Sequence, residues 1–312
     1  MKRVKHPPQV KLKKITDKNG IEREYLFFEI EFNHFRDVSY SHAHEVTDKF
    51  EGRKCECALA LPKTYSKKGK KTPLILSFHG AGGKVCAAED NIGGIGAVTS
   101  CIDAGYAALD VCGSETDGFT MGCPEHIFAA YKAYRFVTEH YNLSEKIFVS
   151  GGSMGGHGAM NFANTFPSIV IAAGLFYPRL NMDGVTIDGH YCIGTWDKTT
   201  PNRFGISTHD RIVNIYRFPN GEWFESNTVG FNPHKTRSFI DPDGNRVLIP
   251  PCPIKIWQGL ADKVVDPIMV KEYVDSIHRA GCYAELHFLE GVEHKITPVM
   301  REEIVLWFDR FI

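Results

Sequence analysis

The chain lacks an excess of charge of either sign: 36 Lys and Arg against 37 Asp and Glu leave a formal net charge of −1 over 312 residues. No overall field therefore recruits nucleic acid or a membrane surface. No stretch approaches the roughly 18 consecutive apolar residues that a spanning helix needs. The opening MKRVKHPPQV places no apolar run behind its basic residues, so the expectation is a cytoplasmic chain with neither signal peptide nor membrane span. The nine cysteines form no C-x-x-C pair, and an odd, scattered set is expected to be buried free thiols. Cys55-x-Cys57 and His42-x-His44 are lone pairs on extended stretches, so no metal site is expected. Gly94-Ile-Gly96 lacks the third glycine of a dinucleotide fingerprint, and no Gly-Lys-Ser/Thr follows any glycine-rich turn, so no cofactor is expected either. Lysine is dense only locally, in Lys11-Leu-Lys13-Lys14 and Lys67-Lys68-Gly-Lys70-Lys71, which read as solvated loops.

What is present is a regular alternation of apolar strands and amphipathic helices. Tyr25–Phe32 and the clearly alternating Cys55–Leu61 read as antiparallel strands leading into the sheet. Pro73–Phe78, Tyr106–Val111, Ile147–Val149 and Ile169–Phe176 are short, mainly apolar runs, the pattern of buried parallel strands, and Ile254–Trp257 and Tyr283–Leu289 also read as strands. Helices are expected at Asn91–Ala104, Pro124–Tyr141, His157–Ala163, Pro267–Ala280 and Thr297–Ile312. The fold class is thus α/β, a mostly parallel central sheet with helices on both faces. Residues 1–72 are expected to supply lead-in strands and 73–312 the main α/β domain. Within the latter, 177–251 breaks the pattern as a long insertion, expected to act as a lid. Its Tyr191, Trp196 and Trp223 are candidate walls of a substrate pocket, whereas Arg179, Arg203, Arg211 and Arg217 read as surface residues.

The stretch that organises the rest is Gly151-Gly152-Ser153-Met154-Gly155, a G-x-S-x-G turn between strand and helix. So sharp a turn brings side chains two positions either side of the serine into collision, so both positions need glycine, and it exposes the serine hydroxyl at a strand end. The Met154 N–H and the helix N-terminus then face any developing oxyanion. A second donor is expected from His79-Gly80-Ala81-Gly82-Gly83, at the N–H of Ala81 or Gly82. A serine hydroxyl needs a base, and the base an orienting acid. Asp262 lies just past one strand and His294 just past the next. Asp266, directly before Pro267, reads instead as a helix N-cap.

Serine, aspartate and histidine in that chain order, with the two glycine-rich turns and the Gly259-Leu-Ala-Asp262 segment, resemble the α/β-hydrolase family over about residues 73–312. The Gly-Gly-Ser-Met-Gly-Gly elbow and Ile-Trp-Gln-Gly-Leu-Ala-Asp look most like its esterase and depolymerase-like branch, which includes feruloyl and acetyl esterases. Gln258 departs from many members, which carry histidine there. The resemblance implies a serine ester hydrolase with a small-molecule or oligosaccharide ester as its substrate. A small peptidase or aminoacyl hydrolase would use the same residues. A binding protein that had lost the chemistry would show decay of the triad or of the oxyanion hole, and every residue type required is here.

Overall fold

The computed structural model describes residues 6–16, 21–32, 53–83, 94–112, 120–182 and 231–312. Nine strands form one sheet: β1 (Lys11–Thr16), β2 (Glu22–Phe32), β3 (Arg53–Ala60), β4 (Thr72–Phe78), β5 (Ala107–Val111), β6 (Leu143–Gly152), β7 (Val170–Phe176), β10 (Ile254–Gly259) and β11 (Ala284–Leu289). Their spatial order is β1-β2-β3-β5-β4-β6-β7-β10-β11. The first three strands and the β3–β5 pair are antiparallel, and every later pair is parallel. A small antiparallel hairpin, β8 (Ser238–Ile240) with β9 (Arg246–Leu248), stands apart.

The parallel strands are apolar almost throughout because both faces are covered. On one face α2 (Pro124–His140), α3 (Met154–Thr165) and α4 (Pro267–Arg279) pack Ile127, Ala133, Met160, Phe162, Val270 and Tyr273 onto the sheet. On the other, α1 (Thr99–Asp103) and α5 (Pro298–Asp309) contribute Cys101, Ile102, Met300, Ile304, Trp307 and Phe308. The caps follow local chemistry: Asp266 accepts from the Ile268 N–H, as its place before Pro267 led one to expect, and Thr297 accepts from the Met300 N–H.

Chain order reverses at the centre. From β4 the chain crosses to β5 on one side, then returns to β6 on the other, so the ends of β4 and β6 open a crevice between diverging connections. Phe78 is in register with Gly151, which sets the His79–Gly83 turn beside the Ser153 turn.

Several sequence expectations change. Lys11–Lys14 is not loop but part of the edge strand β1, where Lys14 pairs with Glu22 across β2 at 2.6 Å. Lysine on an edge discourages further strand pairing, so solvation and strand are compatible. The strand before the serine runs through both glycines to Gly152. Among the described residues of the helix expected at Asn91–Ala104, a 3-10 turn at Gly94–Val98 precedes the short α1, because Gly94 has a positive φ of 60° and Gly96 weakens the next turn. Hairpin β8–β9 was hidden by its brevity. Cys55 and Cys57 are both buried in the core, and His42 and His44 lie outside the described residues. Among the described residues no helix is long and apolar enough to cross a membrane.

Candidate active site

Ser153 sits between β6 and α3 with φ +55° and ψ −122°, a conformation that side chains disfavour. Three backbone hydrogen bonds hold it there. Its N–H donates to the Phe176 carbonyl at 3.0 Å, and its carbonyl accepts from Gly156 at 3.1 Å and Arg179 at 3.0 Å. Strain of roughly 1–3 kcal/mol persists only where the surroundings over-determine it, and at functional sites it aims a side chain. The hydroxyl is accordingly partly exposed while its neighbours are buried.

The flanking glycines are explained by contact. A Cβ on Gly151 would lie 2.2 Å from the Gly155 carbonyl oxygen, and one on Gly155 would lie 2.1 Å from that of Phe78. Both clashes are with backbone, which cannot swing aside. Gly151→Ala is therefore expected to cost about 3 kcal/mol or more, read as a large fall in melting temperature or loss of soluble protein. A variant melting with the parent would contradict this packing.

The turn after β4 closes by a Gly83 N–H to Gly80 carbonyl bond of 3.0 Å, and Gly82 has a φ of +78°. That bond uses neither the Ala81 nor the Gly82 N–H, and both residues are at least partly exposed. Met154 opens α3, so its N–H has no partner within the helix. Beneath the turn, His79 is buried with Nδ1 2.9 Å from the Gly80 carbonyl. Burial opposes its charge, but the Cys112 thiol, the Asp110 carboxylate and the Gly80 carbonyl together raise it to about 9.

Asp262 and His294 meet. The imidazole Nδ1 donates to Asp262 Oδ2 at 2.8 Å, although the residues come from the loops after β10 and β11. Those loops are joined by backbone: the Leu260 N–H donates to the Leu289 carbonyl and the Ala261 N–H to that of Val292, each at 3.0 Å. Asp262 is nearly buried. Burial alone would raise its carboxyl, but the His294 bond, the Val265 and Val264 amides and the imidazole charge outweigh it and hold it below the usual aspartate value. It is ionised at neutral pH, as an orienting acid must be.

Two contacts at the site were not legible in the sequence. Tyr177, just past β7 with φ +36°, is buried, and its ring centroid is 4.2 Å from that of His294. The same ring lies 3.3 Å from where a Cβ on Gly152 would stand, so one side chain abuts both the serine turn and the histidine. The only sequence signal was its position at a strand end. Gln258, singled out as a departure, is wholly buried and donates from Nε2 to Asp262 Oδ2 at 3.2 Å. Among the described residues the Ser153 hydroxyl and the imidazole are not hydrogen-bonded, and such contacts commonly tighten only around substrate.

The edges of the insertion are anchored on α3. His157 lies with Nδ1 2.8 Å from the Arg179 carbonyl and Nε2 2.7 Å from that of Phe231, and Asn161 Nδ2 donates to the same Phe231 oxygen at 2.7 Å. Arg179, expected at the surface, is buried. Tyr191, Trp196, Trp223, Arg203, Arg211 and Arg217 lie outside the described residues. Among the described residues no three His, Cys, Asp or Glu side chains are placed to hold a metal ion.

A strand-end serine turn, a neighbouring glycine turn and an acid–imidazole pair on a mostly parallel sheet with flanking helices are the α/β-hydrolase fold. Solved structures agree. The chain is similar to an S-formylglutathione hydrolase from Agrobacterium tumefaciens (TM-score 0.63, 11% identity, covering 97% of this chain and 100% of that one). It is also similar to the thermophilic esterase Est2 from Thermogutta terrifontis (TM-score 0.54, 16% identity, 85% and 89%). A puromycin-hydrolysing peptidase from Mycobacterium tuberculosis aligns at TM-score 0.61 and 16% identity over 83% of this chain, which spans only 37% of that protein. At such identities the likeness is one of fold. No known family model matches the sequence, and neither does any curated protein.

Proposed function

We propose that the protein is a serine hydrolase that cleaves carboxylic esters through an acyl-enzyme. The observation that carries this reading is the 2.8 Å bond between His294 Nδ1 and the ionised Asp262, at strand ends neighbouring a serine held at φ +55°. Ser153 Oγ attacks the ester carbonyl carbon, His294 Nε2 accepts the hydroxyl proton, and the Met154 N–H with that of Ala81 or Gly82 receives the oxyanion. Collapse breaks the bond to the leaving alcohol, which takes the proton from His294. Water, deprotonated by the same imidazole, then releases the acid and restores the serine. Asp262 keeps the N–H on Nδ1, so that Nε2 is the free base.

The substrate of this reading is a small-molecule or oligosaccharide ester carrying an acetyl or hydroxycinnamoyl group. Support comes from the likeness of the elbow and the Gln258–Asp262 segment to the esterase branch, and from the aromatic side chains of the insertion. A peptidase or aminoacyl hydrolase is the second reading, favoured by the fold's likeness to the puromycin-hydrolysing peptidase. The test is turnover of 4-nitrophenyl acetate, butyrate and octanoate, methyl ferulate, an acetylated xylo-oligosaccharide and an aminoacyl 4-nitroanilide, with Ser153→Ala as control. Serine-dependent cleavage of an ester supports the proposal, and cleavage of the anilide alone transfers it to the second reading. Equal rates for parent and Ser153→Ala on every substrate would refute both.

The acid is separable from its neighbour. Asp262→Asn should lower kcat by about ten-thousandfold, because an amide can hold the imidazole in the wrong tautomer. Asp266→Asn, which keeps a capping oxygen for Ile268, should stay within about threefold of the parent. The reverse pattern in folded variants would move the acid to Asp266.

A further inference from the structure

Gln258 is the last residue but one of β10, its side chain wholly buried, and the proposed chemistry has no use for it. Its amide nitrogen faces three acceptors: Asp262 Oδ2 at 3.2 Å, the Gly259 carbonyl at 3.1 Å and the Val265 carbonyl at 3.3 Å. The last two stand at either end of the loop that carries Asp262, so the side chain straps that loop across its base. Its own oxygen, also buried, has no partner among the described residues. The amide cannot be turned to relieve this, since its oxygen would then face three acceptors. The donor end is fixed and the acceptor end is left unsatisfied, the reverse of what packing alone would select.

The Asp262 carboxylate is thereby saturated. Oδ1 accepts the Val264 N–H at 2.8 Å and the Val265 N–H at 3.0 Å, and Oδ2 accepts the His294 N–H at 2.8 Å together with the Gln258 amide. Each donor withdraws electron density from the carboxylate, and the Gln258 donor acts on the oxygen that His294 uses. A second donor on that oxygen weakens its pull on the imidazole proton and fixes the direction in which the lone pair points.

We propose that Gln258 is a positioning residue for the acid of the triad, holding the Asp262 carboxylate in line with His294 and limiting how strongly that carboxylate favours the imidazolium. The inference rests on the hydrolase reading for its kinetic consequences but not for its structural one. Gln258→Met, close in volume and without a donor, should lower kcat about tenfold, the loss of one hydrogen bond to a charged group, with KM unchanged. The acidic limb of kcat/KM should move to higher pH, because the less restrained carboxylate stabilises the protonated imidazole. Gln258→Glu, nearly isosteric, would be held protonated among these acceptors, keep a donor on Asp262 Oδ2 and leave the limb close to the parent's.

The deciding measurement is the pH profile of kcat/KM for parent, Gln258→Met and Gln258→Glu, together with the low-field proton resonance of the His294 Nδ1–H, assigned by its loss in His294→Ala. A displaced limb and a shifted resonance in Gln258→Met, with both near the parent's in Gln258→Glu, support the role. An unchanged profile and an unshifted resonance in folded Gln258→Met overturn it, even if the melting temperature falls, and leave Gln258 a loop strap only. Should the parent show no serine-dependent turnover, the hydrolase reading fails, and the resonance alone still decides whether Gln258 acts on the acid–imidazole pair. If Gln258→Met does not fold, Gln258→Leu, which also lacks a donor, provides both readouts.

Discussion

Ser153→Ala should lower kcat for the best ester by roughly a millionfold while leaving KM close to that of the parent. The asymmetry follows from what the side chain does in the proposed reaction. The hydroxyl is the bond-forming atom, so its removal takes away the covalent route. The Ala81, Gly82 and Met154 donors are backbone and survive the substitution, which leaves a residual rate some thousandfold above water. Stability separates this loss from misfolding. Alanine keeps a Cβ at φ +55°, so Ser153→Ala should melt with the parent. Glycine removes that penalty, and Ser153→Gly should be equally inactive yet more stable by about 1 kcal/mol. A folded Ser153→Ala retaining more than about a hundredth of parental turnover would exclude the serine as nucleophile.

Mild acid should begin to destabilise the protein above the range in which its carboxylates titrate. Burial pushes His126 down to about 3, helped by the charge of His79, with the Val111 carbonyl opposing. Burial takes His157 to about 4, with the Arg179 and Phe231 carbonyls pulling the other way and the Arg179 charge adding to the depression. Burial, with the charges of Arg246 and Lys235, takes His234 to about 3, although Glu272 Oε2 stands 3.7 Å from its Nε2.

In the unfolded chain each of the three takes up a proton near its ordinary value of 6.5, so below that pH the unfolded state binds more protons than the folded one. Stability is therefore fully present above that value and falls with pH, by about 1.4 kcal/mol per unit for each histidine and about 4 kcal/mol per unit for the three. By pH 4.5 the loss reaches about 8 kcal/mol, comparable with a typical total stability of roughly 5–15 kcal/mol. Asp262, Glu145, Glu285 and Glu303 are all held below their ordinary values and cannot cause a loss that begins above pH 6. His79 has the opposite sign. Its raised value contributes stability that is complete below 6.5 and is lost as pH rises through about 9. Urea midpoints measured across this range should trace a dome falling on both sides. A midpoint that stays flat down to pH 5 would mean that the buried histidines do not govern acid stability.

Much of this protein could be read along the chain. The strands β4, β5, β6 and β7 were legible because burial on both faces forces nearly unbroken apolar runs, and β10 and the edge strand β11 because apolar residues alternate with Lys255, Glu285 and His287. The serine turn was legible because close backbone approach at Gly151 and Gly155 admits no side chain, and Asp266 because a residue before a proline-led helix is a cap. The edge strand β1 was hidden because its lysines carry no apolar alternation, and hairpin β8–β9 because runs of three residues carry no period.

The sequence by itself determined the serine turn, the glycine turn and the loop positions of Asp262 and His294, since each depends on chemistry within a few neighbouring residues. Only the tertiary structure decided that His294 reaches Asp262 at 2.8 Å, that Tyr177 lies against the imidazole, and that Gln258 donates to the acid. The first two contacts join residues brought together by parallel strand pairing across separate crossovers, and the third depends on how the loop after β10 folds back over four residues. Such pairings are set by which faces of the sheet the helices bury, and no local pattern carries that information.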